Sequence, residues 1–220
     1  MTRLLWLVTP SRIEAEAFRA GLPATLPAAC RFFPTGVGAL ATLHTLWQRW
    51  IAEEKPHAVI AVGIAGSFRR RWASGTIVWV RSERWGDLGR RSSRAFQPSP
   101  PTLREGFPLH WEAWPAALPF PFPAVQGLTL HSVSASPRQA RFWQRVYPDA
   151  DIETQENAAY FLFAQSHQCP LLSFRIISNR VGSRRWDKEA ALAALHTFAH
   201  THVASLCEWL VAGDFAAGPR

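Results

Sequence analysis

The chain has 220 residues, 48% of them hydrophobic, enough to bury the core of one sizeable domain. Its formal net charge of +8 comes from basic residues scattered in short clusters, "RRR" at 69–71, "RRSSR" at 90–94 and "RVGSRR" at 180–185, with no helix-long basic stripe of the kind that grips nucleic acid. The first apolar run is too short for a signal-peptide core and no later one spans a bilayer, so the expectation is one cytoplasmic domain over residues 1–220 with neither nucleic acid nor membrane as partner.

"LLWLV" reads as a buried strand, and "SRIEAEAFRAGL" as a helix with Ile13, Ala17 and Phe18 at helical spacing and Gly21 as its stop. "CRFFP" repeats the strand, Gly36 and Gly38 supply a turn, and a second helix follows with Leu40, Leu43, Leu46, Trp47 and Trp50 on one face. "HAVIAVGIAGSF" is an apolar strand running into glycines, and "GTIVWVRSERWGDLG" a strand with partial alternation. Residues 96–125 are dense in proline, which neither a helix nor an interior strand accepts, so they read as a long surface excursion. A strand "GLTLHSV", a helix "SPRQARFWQRV", a helix entered through "DIETQENAAYFLF", a strand "LLSFRIIS" and a terminal helix over about 186–211 complete the chain. Apolar strands alternating with helices predict an α/β three-layer sandwich, with a central mixed, mostly parallel sheet flanked by helices.

In such sheets ligands collect where strand ends meet loops, which singles out "TPSRIE", "TGVG", "GIAGS", "HSVSAS", "ETQE" and "ISNRVG". Neither glycine loop completes the dinucleotide spacing, and no Gly-Lys-Ser/Thr loop exists. Cys30, Cys169 and Cys207 have no metal-ligand spacing and read as buried thiols. His196 and His200 share a helix face, but zinc would need more ligands, and an exposed face is the plainer reading. No metal or organic cofactor is expected.

Glu14, Glu156 and Asn179 each fall just past a strand end. With "TGVG", "GIAGSF" and "ISNRVG" they make the chain resemble the nucleoside phosphorylase and nucleosidase superfamily. "ISNRVGSRRWDKEAALAAL" and "ERWGDLG" make it resemble, within that superfamily, the futalosine hydrolases of a menaquinone pathway. The resemblance implies a purine nucleoside substrate, a homo-oligomer and three tasks: a water activated, a ribose held and a departing base stabilised. Glu14 matches the water-activating carboxylate, and the helix repeat puts it on the face of Phe18 with Glu16 turned away. Glu156 matches the ribose-binding glutamate, although "QENAA" stands where the usual run is Met-Glu-Gly-Ala-Ala. Gln155, Thr154, Ile64, Ala65, Gly66 and Val133 are the further substrate-binding positions that the resemblance implies. Relatives that cleave adenine nucleosides carry aspartate where Asn179 stands. An amide with one donor and one acceptor side suits a 6-oxopurine, so hypoxanthine is the expected base. Ala61 and Ile64 occupy the positions at which related phosphorylases hold phosphate, which leaves water as the nucleophile.

The expected activity is therefore hydrolysis of futalosine to hypoxanthine and dehypoxanthinyl futalosine. Another purine nucleosidase or phosphorylase, acting on inosine, methylthioadenosine or adenosylhomocysteine, is the alternative. A nucleic-acid-binding module on an inactive nucleosidase scaffold is the alternative from another class. The carboxyphenyl end of futalosine further calls for an aromatic surface and a cation, which the sequence does not single out.

Overall fold

The computed structural model describes residues 3–92, 94–100, 105, 107–213 and 215. Four strands alternate with two helices at the start: β1 (Leu4–Thr9), α1 (Arg12–Gly21), β2 (Ala29–Pro34), α2 (Ala39–Ala52), β3 (Ala58–Ser67) and β4 (Ile77–Trp85). Three short strands follow, β5 (Gly89–Arg91), β6 (Phe96–Pro98) and β7 (His110–Glu112). The remainder is β8 (Ala124–Thr129), α3 (Pro137–Val146), β9 (Ile152–Thr154), α4 (Asn157–Ser166), β10 (Leu171–Arg180) and α5 (Lys188–Ala212).

The main sheet runs β10-β4-β8-β9-β3-β1-β2, and β3 pairs with β10 as well, so the path closes on itself. β1–β2, β1–β3, β3–β10, β4–β8 and β8–β9 are parallel, whereas β10–β4, β3–β9 and β4–β7 are antiparallel. This is the mixed, mostly parallel sheet the alternation predicts. β3 and β10 lie at its centre, and their apolar runs are buried on both faces, as a strand covered by helices on each side requires. α1 packs on α5 and α2 on α4, and these two pairs flank the sheet.

Three expectations need correction. The buried arc of α2 is Ala39, Thr42, Leu43 and Leu46, while Leu40 and Trp47 are 70% and 43% exposed. Both sit about a quarter-turn from the centre of that arc at 3.6 residues per turn, so the apolar stripe is wider than the face that packs. Second, the proline-dense segment is not all surface: Trp111 and Ala113 are buried, β7 pairs with β4, and Phe120 and Phe122 pack on the core. Prolines flank β7 without entering it, so its ladder keeps its donors; residues 101–104 and 106 of the segment lie outside those described. Third, Ile152–Thr154 is a strand, not part of a helix entrance, and α4 begins only at Asn157.

Candidate active site

The ends of β1, β3, β9 and β10 open onto one cavity of about 700 Å³. The expected catalytic and substrate-binding residues all border it: Glu14 and Asn179, then Glu156, Gln155 and Thr154, then Ile64, Ala65, Gly66 and Val133.

Glu14 stands in the first turn of α1, where Ser11 is the N-cap. Its backbone N–H donates to Ser11 Oγ (3.3 Å) and the Ser11 N–H donates to Glu14 Oε2 (3.0 Å), the reciprocal capping box. The Ser11 hydroxyl donates to the same oxygen. Capping does not exhaust this carboxylate, because Oε1 also accepts from the Ile64 N–H at 2.8 Å, across from α1 to β3. Gly63 makes that approach feasible: a Cβ there would stand 3.1 Å from Oε1 and 2.9 Å from Pro10 Cδ. Glu14 is buried and Glu16 exposed, as the helix phase predicts.

Glu156 is the residue on which α4 starts, and its Oε1 accepts from the Gly38 N–H at 2.9 Å. Gly38 is itself the N-cap of α2, with φ of +89°, a conformation that favours glycine. The carboxylate therefore lies between two helix N-termini, where the backbone dipoles favour negative charge. Burial pushes its pKa up, as the nearby Glu14 does, while the Gly38 N–H and the Arg175 guanidinium draw it down.

Asn179 is half-buried at the end of β10. Its Nδ2 donates to the Arg180 carbonyl (2.9 Å) and its Oδ1 accepts from Ser178 Oγ (3.0 Å). One N–H and one lone pair of the amide remain for another partner. Ile64, Ala65 and Gly66 supply backbone along the cavity, Val133 is an exposed residue of its wall, and Gln155 is tied by Nε2 to the His131 carbonyl (3.2 Å). Thr154 is buried, with Oγ1 paired to Thr129 Oγ1 (3.1 Å) and accepting from the Asn157 N–H (3.4 Å).

Several bordering residues carried no role of their own although they lie in strings singled out above: Ser11 in "TPSRIE", Val37 in "TGVG", Ser134 in "HSVSAS", Glu153 in "ETQE", and Arg184, Trp186 and Lys188 in "ISNRVGSRRWDKEAALAAL". Ser11 was within reach, since "SRIE" is a capping-box spacing. Glu153 opens "ETQE", one of the strand-end strings, but its own strand was not foreseen and it was given no separate role. The basic clusters divide: Arg69 and Arg71 bind Asp151 (2.9 and 3.4 Å), while Arg184 is exposed beside the cavity. His196 and His200 are exposed on α5, and all three cysteines are free. Among the described residues no group of His, Cys, Asp or Glu could hold a metal, and no helix is long and apolar enough to cross a membrane.

No family model and no curated protein matches the sequence. Solved structures do match the fold. The 5'-methylthioadenosine/S-adenosylhomocysteine nucleosidase of Campylobacter jejuni superposes with a TM-score of 0.74 at 12% identity, covering 94% of this chain and 99% of its own. The enzyme of the same name from Neisseria meningitidis, in complex with methylthio-immucillin-A, gives 0.72 at 13% identity, with coverages of 90% and 97%. That of Colwellia psychrerythraea, in complex with adenine, gives 0.70 at 15% identity, with coverages of 96% and 95%. At these identities the likeness is one of architecture: the chain has the fold of the methylthioadenosine/adenosylhomocysteine nucleosidases.

Proposed function

We propose that the chain hydrolyses the N-glycosidic bond of a purine nucleoside, and that its nucleoside is futalosine. The observation that carries the reaction class is the pair of buried carboxylates, Glu14 and Glu156, each held by a backbone N–H, on one cavity. Glu14, fixed through Ser11 and Ile64, takes a proton from water as the water oxygen bonds to the ribose anomeric carbon. Glu156 accepts from the ribose hydroxyls, two adjacent donors matched by its oxygens. The bond to the base breaks with its electron pair moving onto the purine, which takes a proton from solvent at N7, so that the Asn179 amide meets the O6 acceptor and the N7–H donor of the leaving 6-oxopurine.

Support for the futalosine reading comes from the Asn179 amide and from other residues that border the cavity. Trp186 is 55% exposed, Lys188 Nζ stands 5.9 Å from its ring centroid, and Arg184 borders the same cavity. An aromatic face with two cations is what a carboxyphenyl group would seek. Like the relatives implied by the resemblance, the protein would act as a homo-oligomer, without metal or cofactor, in the cytoplasm.

The architectural neighbours favour a second reading, in which methylthioadenosine or adenosylhomocysteine is the substrate. Purified protein given futalosine, inosine and methylthioadenosine, with and without phosphate, separates the two. Phosphate-independent release of hypoxanthine from futalosine is the expected result, and preferential release of adenine would reject it.

A further inference from the structure

We infer that Cys30 and Cys207 form a redox couple, two thiols placed to close into a disulfide when a peroxide oxidises the protein, and so to staple the terminal helix α5 to the edge strand β2. The inference stands apart from the nucleoside reading, since neither cysteine is among the residues that border the cavity.

Cys30 Sγ and Cys207 Sγ are 3.9 Å apart, although 177 positions separate them in the chain. Side chains alternate across a strand, so Cys30 and Phe32 leave β2 on one face, where the Phe32 ring stacks against Phe18 of α1. α5 packs on α1 and turns Val203, Leu206, Cys207 and Leu210 inward, which brings the second thiol to the first. A disulfide holds its sulfurs about 2 Å apart, so closure takes a movement of about 2 Å. β2 ends the sheet and pairs with β1 alone, so it can shift without breaking a ladder on its outer side.

The two thiols differ as a nucleophile and its resolving partner should. Cys30 is partly exposed, whereas Cys207 is wholly buried. The Cys207 thiol beside it draws the pKa of Cys30 below the ordinary thiol value, against the upward pull of burial. The same contact, and burial after it, push Cys207 up. Cys30 is therefore the sulfur that loses its proton first and meets an oxidant first. Its thiolate attacks one oxygen of the peroxide, the O–O bond breaks with its electron pair leaving on the other oxygen, and Cys30 becomes a sulfenic acid. Cys207 then attacks that sulfur, and its proton leaves with the displaced hydroxide as water. In sum, two thiols and hydrogen peroxide give one disulfide and two waters. Reversible bridges of this kind are the ones a reducing compartment permits. Cys169, the third thiol, is buried against the Pro56 and Pro170 carbonyls (both 3.8 Å), and burial pushes it up to about 12, so it stands outside the couple.

The test is to treat the purified protein with hydrogen peroxide, unfold it in the presence of N-ethylmaleimide and weigh it intact. The chain has three cysteines, so the reduced protein takes three labels, and the oxidised protein should take one. Digestion should then yield a peptide pair joining Cys30 to Cys207, and dithiothreitol should restore three labels. Cys169→Ala should still form the bridge, whereas Cys30→Ala and Cys207→Ala should form none. Closing so long a loop should also raise the Tm of the oxidised protein by roughly 10 °C, in wild type and Cys169→Ala but not in Cys30→Ala. Three labels after peroxide, a bridge that uses Cys169, or an oxidised Cys30 without a bridge would each overturn the couple. A Cys30–Cys207 bridge that leaves Tm unchanged would overturn the staple.

Discussion

The Asn157 side-chain amide donates to Glu83 Oε2, joining the first residue of α4 to a residue of β4 that lies 74 positions earlier. Neither is exposed at all. On its other side Asn157 Oδ1 accepts from Arg175 Nη2 (2.8 Å) and Ser173 Oγ (2.6 Å), both on β10. Glu83 Oε1 accepts from Thr129 Oγ1 (3.1 Å) and the Arg84 N–H (3.2 Å). Gly127, opposite Glu83 on β8, clears the space, since a Cβ there would stand 2.1 Å from Glu83 Oε2. The network fixes the start of α4 immediately after Glu156, and its buried cation, Arg175, draws down the pKa of both Glu83 and Glu156. Asn157 thus replaces the glycine of the usual run as a bridge beneath the carboxylate proposed to hold ribose.

Burial pushes Glu83 up to about 7, against the pull of Asn157, Arg175, Thr129 and the Arg84 N–H. A carboxyl whose folded pKa is raised favours folding in its neutral form. Its contribution is complete below the unfolded value near 4.5 and is lost as pH rises through about 7. Thermal stability should therefore fall between about pH 5 and 8, by up to about 3 kcal/mol from this group. Glu83→Gln, which cannot ionise, should flatten that part of the profile in differential scanning calorimetry. An equally steep profile in the variant would assign the pH dependence elsewhere.

Asn157→Ala removes the bridge and leaves Glu83, Arg175 and Ser173 each short of a buried partner. We expect a loss of about 3 kcal/mol, since a buried charge is stripped of a hydrogen bond. For a chain of this size that corresponds to a fall of roughly 10 °C in Tm. Because α4 starts at this residue, KM should rise as well. A Tm within a degree or two of wild type would mean that the bridge adds little to stability.

The sheet was legible from the sequence because its central strands are long apolar runs, as in "AVIAVGIAGS" and "LLSFRIISNR". Glu14, Glu156 and Asn179 were legible for another reason, the motifs around them, and the cavity gathers all three. The strand that carries Glu153 escaped, although "ETQE" was singled out, because three residues are too few to show alternation and β9 exists only through pairing with β3 and β8. The capping box in "SRIE" had a local signature, whereas the reach of Glu14 to the Ile64 N–H is a tertiary fact. Likewise "ERWGDLG" and "QENAA" drew notice separately, and nothing in either string announces that Glu83 and Asn157 meet.

Glu14→Gln keeps a side chain able to cap α1, since glutamine also serves in a capping box. Its single acceptor oxygen cannot also serve the Ile64 N–H, so stability should fall by about 1–3 kcal/mol with the fold intact, while turnover should fall by about 10²–10⁴-fold if the carboxylate takes the proton from water. Kinetics on futalosine together with a thermal melt provide the check. Near-wild-type turnover in a folded variant would falsify the assigned role.

For Glu156 the ionised form is the one that accepts two ribose hydroxyls. Its pKa is raised, mainly by burial, so the ionised fraction falls as pH drops through a value above that of an ordinary glutamate. The acid limb of kcat/KM should accordingly lie nearer neutrality than an ordinary carboxylate would give, and Glu156→Gln should remove that limb while raising KM. A limb at the usual carboxylate position, unchanged in the variant, would exclude Glu156 as its source.

The outer face of α2 gives the proposed homo-oligomer a location. Leu40, Trp47 and Ile51 recur at helical spacing and are 70%, 43% and 81% exposed, and Val37, 58% exposed, borders the cavity just before the helix. Exposed apolar residues grouped in this way, here around the exposed His44, ordinarily pack against something, and a second copy of the chain can supply the same face across a two-fold axis. Light scattering behind size-exclusion chromatography should then report twice the chain mass, falling to a single chain in the Leu40→Glu, Ile51→Glu double variant. Because Val37 joins this face to the cavity, the monomeric variant should also lose substrate affinity. A wild-type protein that elutes as one chain at micromolar concentration would rule out this pairing.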